Sequence, residues 1–320
     1  MSQVDLNLTY VPDIALPGFE ATTLTFPDDY DGPVVATLVR RRADEPTPQA
    51  VLYIHGYTDY FFQAHLADAY NRHGYDFYAL DLRKHGRSLL PGQHPNFCRD
   101  VREYDAEITA AIDRIEREGH TFLVLNGHST GGLLAALYAH RGARRDKLNA
   151  VFLNSPFFAF NAPPAQKASL PLLALAGQVT PFRAVGGGVN SIYPKSIHKD
   201  YYGEWDFNLA WKPIEGFPAY YGWIGAIHRA QGAVRGGLSI RRPVLVMHSD
   251  CSAGGREWRE LFRASDIVLN VEDMRQGAKR LGRHVTVVEI PGGVHDLVLS
   301  RRPVRDHVFA ALFEWLDTFV

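Results

Sequence analysis

The ten residues LNGHSTGGLL, 125–134, constrain this chain more than any other stretch. They join TFLVLN (121–126), an apolar run that reads as a buried strand, to LLAALYAH, which reads as a helix. Between them Ser129 sits among Gly127, Gly131 and Gly132. A helix interior avoids such glycines, and a strand has no need of three. The pattern predicts a strand–turn–helix so tight that neighbouring side chains are trimmed away, with the serine hydroxyl thrust clear of the sheet. The helix behind the turn would aim its N-terminus at that hydroxyl and favour negative charge there.

The rest of the chain fits around such a turn. Two β-like runs, ATTLTF (21–26) and PVVATLVRR (33–41), precede AVLYIH (50–55), YDFYALD (75–81) and LNAVFLN (148–154). RPVLVMHSD (242–250) and HVTVVEIP (284–291) complete a predicted set of eight strands, several apolar enough to be covered on both faces. Helical segments alternate with them. In 99–119, Val101, Tyr104, Ile108, Ala111, Ile112 and Ile115 recur at spacings of three and four, one apolar stripe. Further helices are expected near YFFQAHLADAYNRHG, VEDMRQGAKRLG (271–282) and 304–319. This rhythm predicts a mostly parallel sheet with right-handed crossovers and helices on both faces.

The alternation breaks between about Phe157 and Ser239, where no strand–helix pair is evident. Ten aromatic residues, from Tyr193 and Tyr201 through Tyr202, Trp205, Phe207, Trp211, Phe217, Tyr220 and Tyr221 to Trp223, fall within 31 residues. At the chain average of 12% about four would be expected. The expectation is a core of 1–156 and 240–320 with an inserted cap over 157–239. Its rings either form the insertion's own small core or line a pocket.

Composition excludes several classes. Lys and Arg number 34 against 35 Asp and Glu, so no long-range field draws in nucleic acid or an anionic membrane. Two cysteines, Cys98 and Cys251, offer neither a disulfide framework nor metal spacing, and read as free thiols of a reducing compartment. The N-terminal residues show no secretory pattern, and LPLLALA (170–176) is too short to span a bilayer. A soluble, cytoplasmic protein without stable membrane insertion is expected, and a homo-oligomer is compatible with it. No dinucleotide, phosphate-loop or zinc-protease motif is present, so no cofactor and no metal are called for.

A serine hydroxyl is a poor nucleophile without a base. Among 14 histidines, His295 in PGGVHDLVLS follows the last predicted strand, where a loop can return to the top of the sheet. The chain order nucleophile, acid, histidine also asks for a late histidine. His128 has its direction fixed by the turn and reads as packing or pocket wall. Asp296 is a poor orienter for its own neighbour and reads as a cap or surface contact.

Together these segments resemble an α/β-hydrolase, and within that superfamily the branch of monoacylglycerol lipases, lysophospholipases and the serine aminopeptidase group. YIHGYTDYF resembles the branch's oxyanion-side motif, YALDLRKHGRS its D-x-R-G-x-G-x-S segment, GHSTGG the nucleophile elbow and PGGVHD the histidine loop. The resemblance implies an acid a few residues past the seventh strand. Here HSDCS departs from the pattern, with Ser252 where the aspartate is expected. Asp266, in SDIVLNVEDM, recovers the context if 251–265 is a local insertion; Asp250 at the strand end is the second choice, and Asp273 falls within the expected helix. The oxyanion hole would use the backbone N–H groups of Tyr57 and Thr130, each worth roughly 3 kcal/mol towards developing charge. Asp81, Arg83, His85, Gly86 and Ser88, like His55, would brace loops beneath the site.

The implied chemistry is a Ser–His–Asp hydrolase acting through an acyl-enzyme. The apolar insertion points to a carboxylic ester with an apolar part, such as an acylglycerol or lysophospholipid-like ester. Two alternatives are an amide or peptide hydrolase of the aminopeptidase type, using Glu204, Asp206 or Glu215 for a free amine, and a hydrolase-fold protein that binds a small ligand without turnover.

Overall fold

The computed structural model describes residues 9–185, 191–255 and 257–319. Its frame is one sheet made of β1 (Val11–Pro12), β2 (Glu20–Asp29), β3 (Gly32–Arg41), β4 (Gln49–Ile54), β5 (Asp76–Asp81), β6 (Phe122–His128), β7 (Ala150–Asn154), β8 (Val244–Ser249) and β9 (Val285–Ile290). Across the sheet they lie in the order β1-β2-β3-β5-β4-β6-β7-β8-β9. The pairs from β1 to β5 are antiparallel and the remainder parallel. Among the described residues the sheet thus has nine strands, where eight were expected. The extra strand is two residues long, too short to show any alternation, and lies at the edge where Pro12 need not donate a ladder hydrogen bond.

The helices are α1 (Ala64–Arg72), α2 (Asp105–Arg117), α3 (Thr130–Arg141), α4 (Pro164–Val179), α5 (Ile192–Ile197), α6 (Tyr221–Gly236), α7 (Val271–Ala278) and α8 (Arg302–Leu316). Successive side chains of a strand point to opposite faces, and β4 shows what this does. Ala50, Leu52 and Ile54 enter a core shared with Ile108 and Ile112 of α2 and Leu133 and Leu137 of α3. Val51 and Tyr53 enter a second core with Leu66 and Tyr70 of α1 and Val308 and Leu312 of α8. Covered on both faces, the central strands carry the near-continuous apolar runs seen in the sequence. The predicted stripe of 99–119 is buried throughout, although it begins as a 3₁₀ turn at Val101–Tyr104 before α2.

The segment between β7 and β8 contains α4, α5 and α6. α4 and α6 approach closely: a Cβ on Gly177 would run into the Tyr221 backbone, and one on Gly225 would meet Ala174 Cα at 3.2 Å. Leu172, Leu175 and Val179 point outward from α4. Trp223, Ile227, Ala230 and Val234 of α6, with Leu238 and Ile240, join the core of α2 and α3. The end of the 157–239 segment thus packs against the core. No helix among the described residues is long and apolar enough to cross a membrane.

Candidate active site

Ser129 occupies the single residue between β6 and α3, with φ 53° and ψ −114°. A non-glycine residue held at positive φ is strained, so its surroundings must enforce the shape. A Cβ on Gly127 would collide with the Gly131 carbonyl, and one on Gly131 with the carbonyls of Ile54 and His55. These glycines let the turn close onto itself and onto the end of β4. The turn is then tied to β7 by the Ser129 N–H, which donates to the Asn154 carbonyl at 3.0 Å.

His295 lies after β9, and its Nε2 is 3.0 Å from Ser129 Oγ. Its Nδ1 is 2.8 Å from Asp266 Oδ2. The other oxygen, Asp266 Oδ1, accepts the N–H groups of Val268 and Leu269, both at 2.8 Å. Asp266 is wholly buried and His295 nearly so. With Oδ1 taken by two backbone N–H groups, Oδ2 faces Nδ1, an arrangement that suits an N–H at Nδ1 and a lone pair at Nε2 towards the serine.

Ser252 explains how Asp266 reaches this place. Its hydroxyl donates to the Leu269 carbonyl at 3.0 Å and accepts the Val271 N–H at 2.8 Å. Ser252 and Asp266 also form a parallel bridge. The residue standing where the aspartate was expected thus braces the loop that carries Asp266. Asp250 is exposed and accepts the Gly292 N–H at 3.1 Å, while Asp273 pairs with Lys167 at 3.0 Å. Neither is hydrogen-bonded to His295.

Thr130 opens α3, where the first N–H groups of a helix lack intrahelical partners. A Cβ at Gly56 would stand 3.2 Å from that of Ser129, so the backbone leading into Tyr57 passes close by the hydroxyl. Both Thr130 and Tyr57 line a cavity of about 430 Å³ that contains Ser129 and His295. Below it, His55 Nε2 accepts the Leu82 N–H at 3.1 Å, and Asp81 accepts from the Phe61 N–H and Arg87 Nη1, both at 2.8 Å. The polar loop after β5 braces the site without entering the cavity.

Most cavity walls are apolar, with Tyr57, Phe157, Trp223, Ile267 and Leu269 among them. Of the ten clustered aromatics only Tyr193 and Trp223 line it. Others pack against the core: Trp205 on His65, Phe207 on Phe62 and Trp211 on Tyr60. His128 lines the cavity, and burial depresses its pKa below the usual histidine value. Burial raises the thiol pKa of both cysteines, which are unjoined.

Sequence reasoning missed three polar residues here. Lys212 and Asp59 pair across the cavity wall at 2.8 Å. Asp296, expected as a cap or surface contact, makes no side-chain capping bond, is 1% exposed, and accepts Asn154 Nδ2 at 2.7 Å and Gln63 Nε2 at 3.1 Å. That expectation is corrected: the partners are 142 and 233 positions away, and no local pattern announces them.

The profile of the family described as serine aminopeptidase, S33, matches residues 45–251. The chain belongs to this family, and with it to the serine hydrolases of the α/β-hydrolase fold. Among solved structures it is similar to a soluble variant of monoglyceride lipase from Saccharomyces cerevisiae, in complex with a substrate analog (17% identity, 98% of this chain and 96% of that one, TM-score 0.69). It is also similar to the monoacylglycerol lipase of Paleococcus ferrophilus (22% identity, 88% and 99%, TM-score 0.65). A third is a highly thermostable carboxyl esterase from Bacillus coagulans in complex with glycerol (16% identity, 93% and 98%, TM-score 0.63).

Proposed function

We propose that this serine hydrolase cleaves carboxylic esters bearing an apolar acyl part, such as an acylglycerol or lysophospholipid-like ester. One observation carries the reading: Ser129, His295 and Asp266 form a hydrogen-bonded chain of 3.0 and 2.8 Å at a largely apolar cavity. In this reading Ser129 Oγ bonds to the ester carbonyl carbon as its proton passes to His295 Nε2. The Thr130 and Tyr57 N–H groups receive the oxyanion. Collapse breaks the bond to the alcohol, which takes the proton from His295 and departs. Water then attacks the acyl-enzyme, giving its proton to His295, and the acid is released as Ser129 recovers its own. Asp266 stabilises the imidazolium formed in each half-reaction.

Charge in the cavity favours an ester over an N-terminal peptide substrate. An aminopeptidase needs a free carboxylate for the substrate ammonium, and Asp59, which lines the cavity, is already paired with Lys212. Glu204 pairs with Arg305 at 2.8 Å and Asp206 with Lys199 at 2.6 Å, and neither lines the cavity, nor does Glu215. The insertion 157–239 serves as the cap in this reading, with α6, packed on the core, as its root. The free thiols support a cytoplasmic setting.

The test is a chain-length series of p-nitrophenyl esters beside aminoacyl p-nitroanilides, with fluorophosphonate labelling of Ser129. Labelling and ester turnover with little amide cleavage are expected. Preferred amide cleavage would overturn the ester reading. A folded protein that neither labels nor turns over would be a binding protein.

A further inference from the structure

Asn154, the last residue of β7, is bonded to Ser129 and to the two residues that follow His295. Its backbone carbonyl accepts the Ser129 N–H at 3.0 Å. Its side chain faces the histidine loop: Oδ1 accepts the Leu297 N–H at 3.2 Å, and Nδ2 donates to Asp296 Oδ1 at 2.7 Å. Asp296, directly after His295, gives its second oxygen to Gln63 Nε2 at 3.1 Å. Asn154 and Asp296 are only 2% and 1% exposed.

A buried carboxylate without a cation in contact is destabilising unless hydrogen bonds satisfy it. The ionisable group facing Asp296 from β6 is His128, whose Nδ1 is 4.0 Å away and whose proton affinity is lowered first by burial. Two neutral amides, from β7 and from the residue before α1, therefore satisfy its oxygens. The third contact comes from the inserted segment. Tyr193 Oη accepts the Asp296 N–H at 3.2 Å, and its ring meets the His295 imidazole edge-on, with centroids 5.4 Å apart at 83°.

We propose that Asn154 and Asp296 are positioning residues that fix the separation of Ser129 and His295, and that Tyr193 ties this clamp to the seating of α5. The inference rests on the hydrolase reading above. Asn154 binds the nucleophile turn with its backbone and the base loop with its side chain, so one residue sets their register. Displacing a reacting group by about 1 Å can cost on the order of 100-fold in rate.

A double-mutant cycle tests the clamp. Asp296→Asn leaves two amide donors competing for one acceptor, and Asn154→Asp sets two carboxylates face to face. The double variant restores each bond with roles exchanged. The new carboxylate accepts the Leu297 N–H and the new amide, whose oxygen accepts from Gln63. Fluorophosphonate labelling rate, kcat and KM on a p-nitrophenyl ester, and Tm are measured for all four proteins. Each single variant is expected to lose about 10-fold or more in labelling rate and kcat with KM within about twofold, and the double to recover to within about threefold. Singles that melt earlier yet label and turn over at the wild-type rate would overturn the clamp, as would a double as slow as the product of the singles. Where a single fails to fold, the double and Tyr193→Phe carry the test. A double far below wild-type rate overturns the pair, and wild-type kcat in Tyr193→Phe overturns the tie to α5. Wild type that does not label would instead remove the hydrolase reading, and the clamp with it.

Discussion

Lys212 Nζ lies 2.8 Å from Asp59 Oδ1, joining the inserted segment to the loop that carries Tyr57. Both side chains are almost wholly buried, and the ammonium is flanked by the rings of Phe62 and Phe207 at 5.7 and 5.6 Å. Removing one member of a buried pair strands the other charge, at roughly 3–5 kcal/mol. Lys212→Met is therefore expected to lower Tm by several degrees and to raise KM for long-chain esters. Lys212→Met combined with Asp59→Leu is expected to be less destabilised than the single change. Thermal melts of both variants check this.

Asp266→Asn keeps the shape of the side chain but no longer enforces the Nδ1–H tautomer of His295. A fall in kcat of roughly 10⁴ with Tm nearly unchanged is expected. Asp250→Asn should stay within a few-fold of wild type, because Asp250 is exposed and accepts from the Gly292 N–H and Ser249 Oγ, away from His295. Steady-state ester hydrolysis by the two purified variants distinguishes them. A reversed outcome would move the acid to Asp250.

Gly131→Ala drives a methyl into the carbonyls of Ile54 and His55, which belong to β4 and the residue after it. Backbone cannot yield as a flexible side chain does, so a loss of several kcal/mol and of serine labelling is expected. Gly236→Ala, at the end of α6 with open space around its Cβ position, is the control. It should be neutral or stabilising by up to about 1 kcal/mol. Soluble yield and Tm report both.

His65 gives the fold an acid sensitivity. Burial lowers its pKa to about 4 from the usual 6.5, and its Nε2 lies 2.7 Å from the Val298 carbonyl. The unfolded chain therefore binds more protons than the folded one between these values. Stability is full above pH 6.5 and declines as pH falls towards 4, by up to about 3 kcal/mol. His65→Gln should flatten the dependence of Tm on pH across that interval. Melts at half-unit steps measure the slope.

The strands were legible because burial on both faces leaves apolar runs such as AVLYI and FLVL. The serine turn was legible because its glycines answer a local steric demand. α4 and α6 were hidden for opposite reasons. Pro171 interrupts the helical pattern of α4, while Gly222, Gly225, Gly232 and Gly236 dilute that of α6, some of them to allow close packing. Asp266 became readable through a local motif. Asn154, Asp296 and Lys212 carry no such signal, since each finds its partner across more than a hundred residues and a lone polar residue in sequence does not say whether it will be buried.

β7 and β8 are direct neighbours, and the whole stretch bearing α4, α5 and α6 departs after one and returns before the other. None of its described residues supplies a ladder bond to the nine strands. Lengthening or replacing the outer part of that excursion, with Tyr193 and Lys212 kept in their contacts, leaves the sheet's pairing untouched. In the ester reading, one contiguous piece of text supplies part of the chamber wall and is open to revision, provided Tyr193 keeps its hold on the Asp296 N–H.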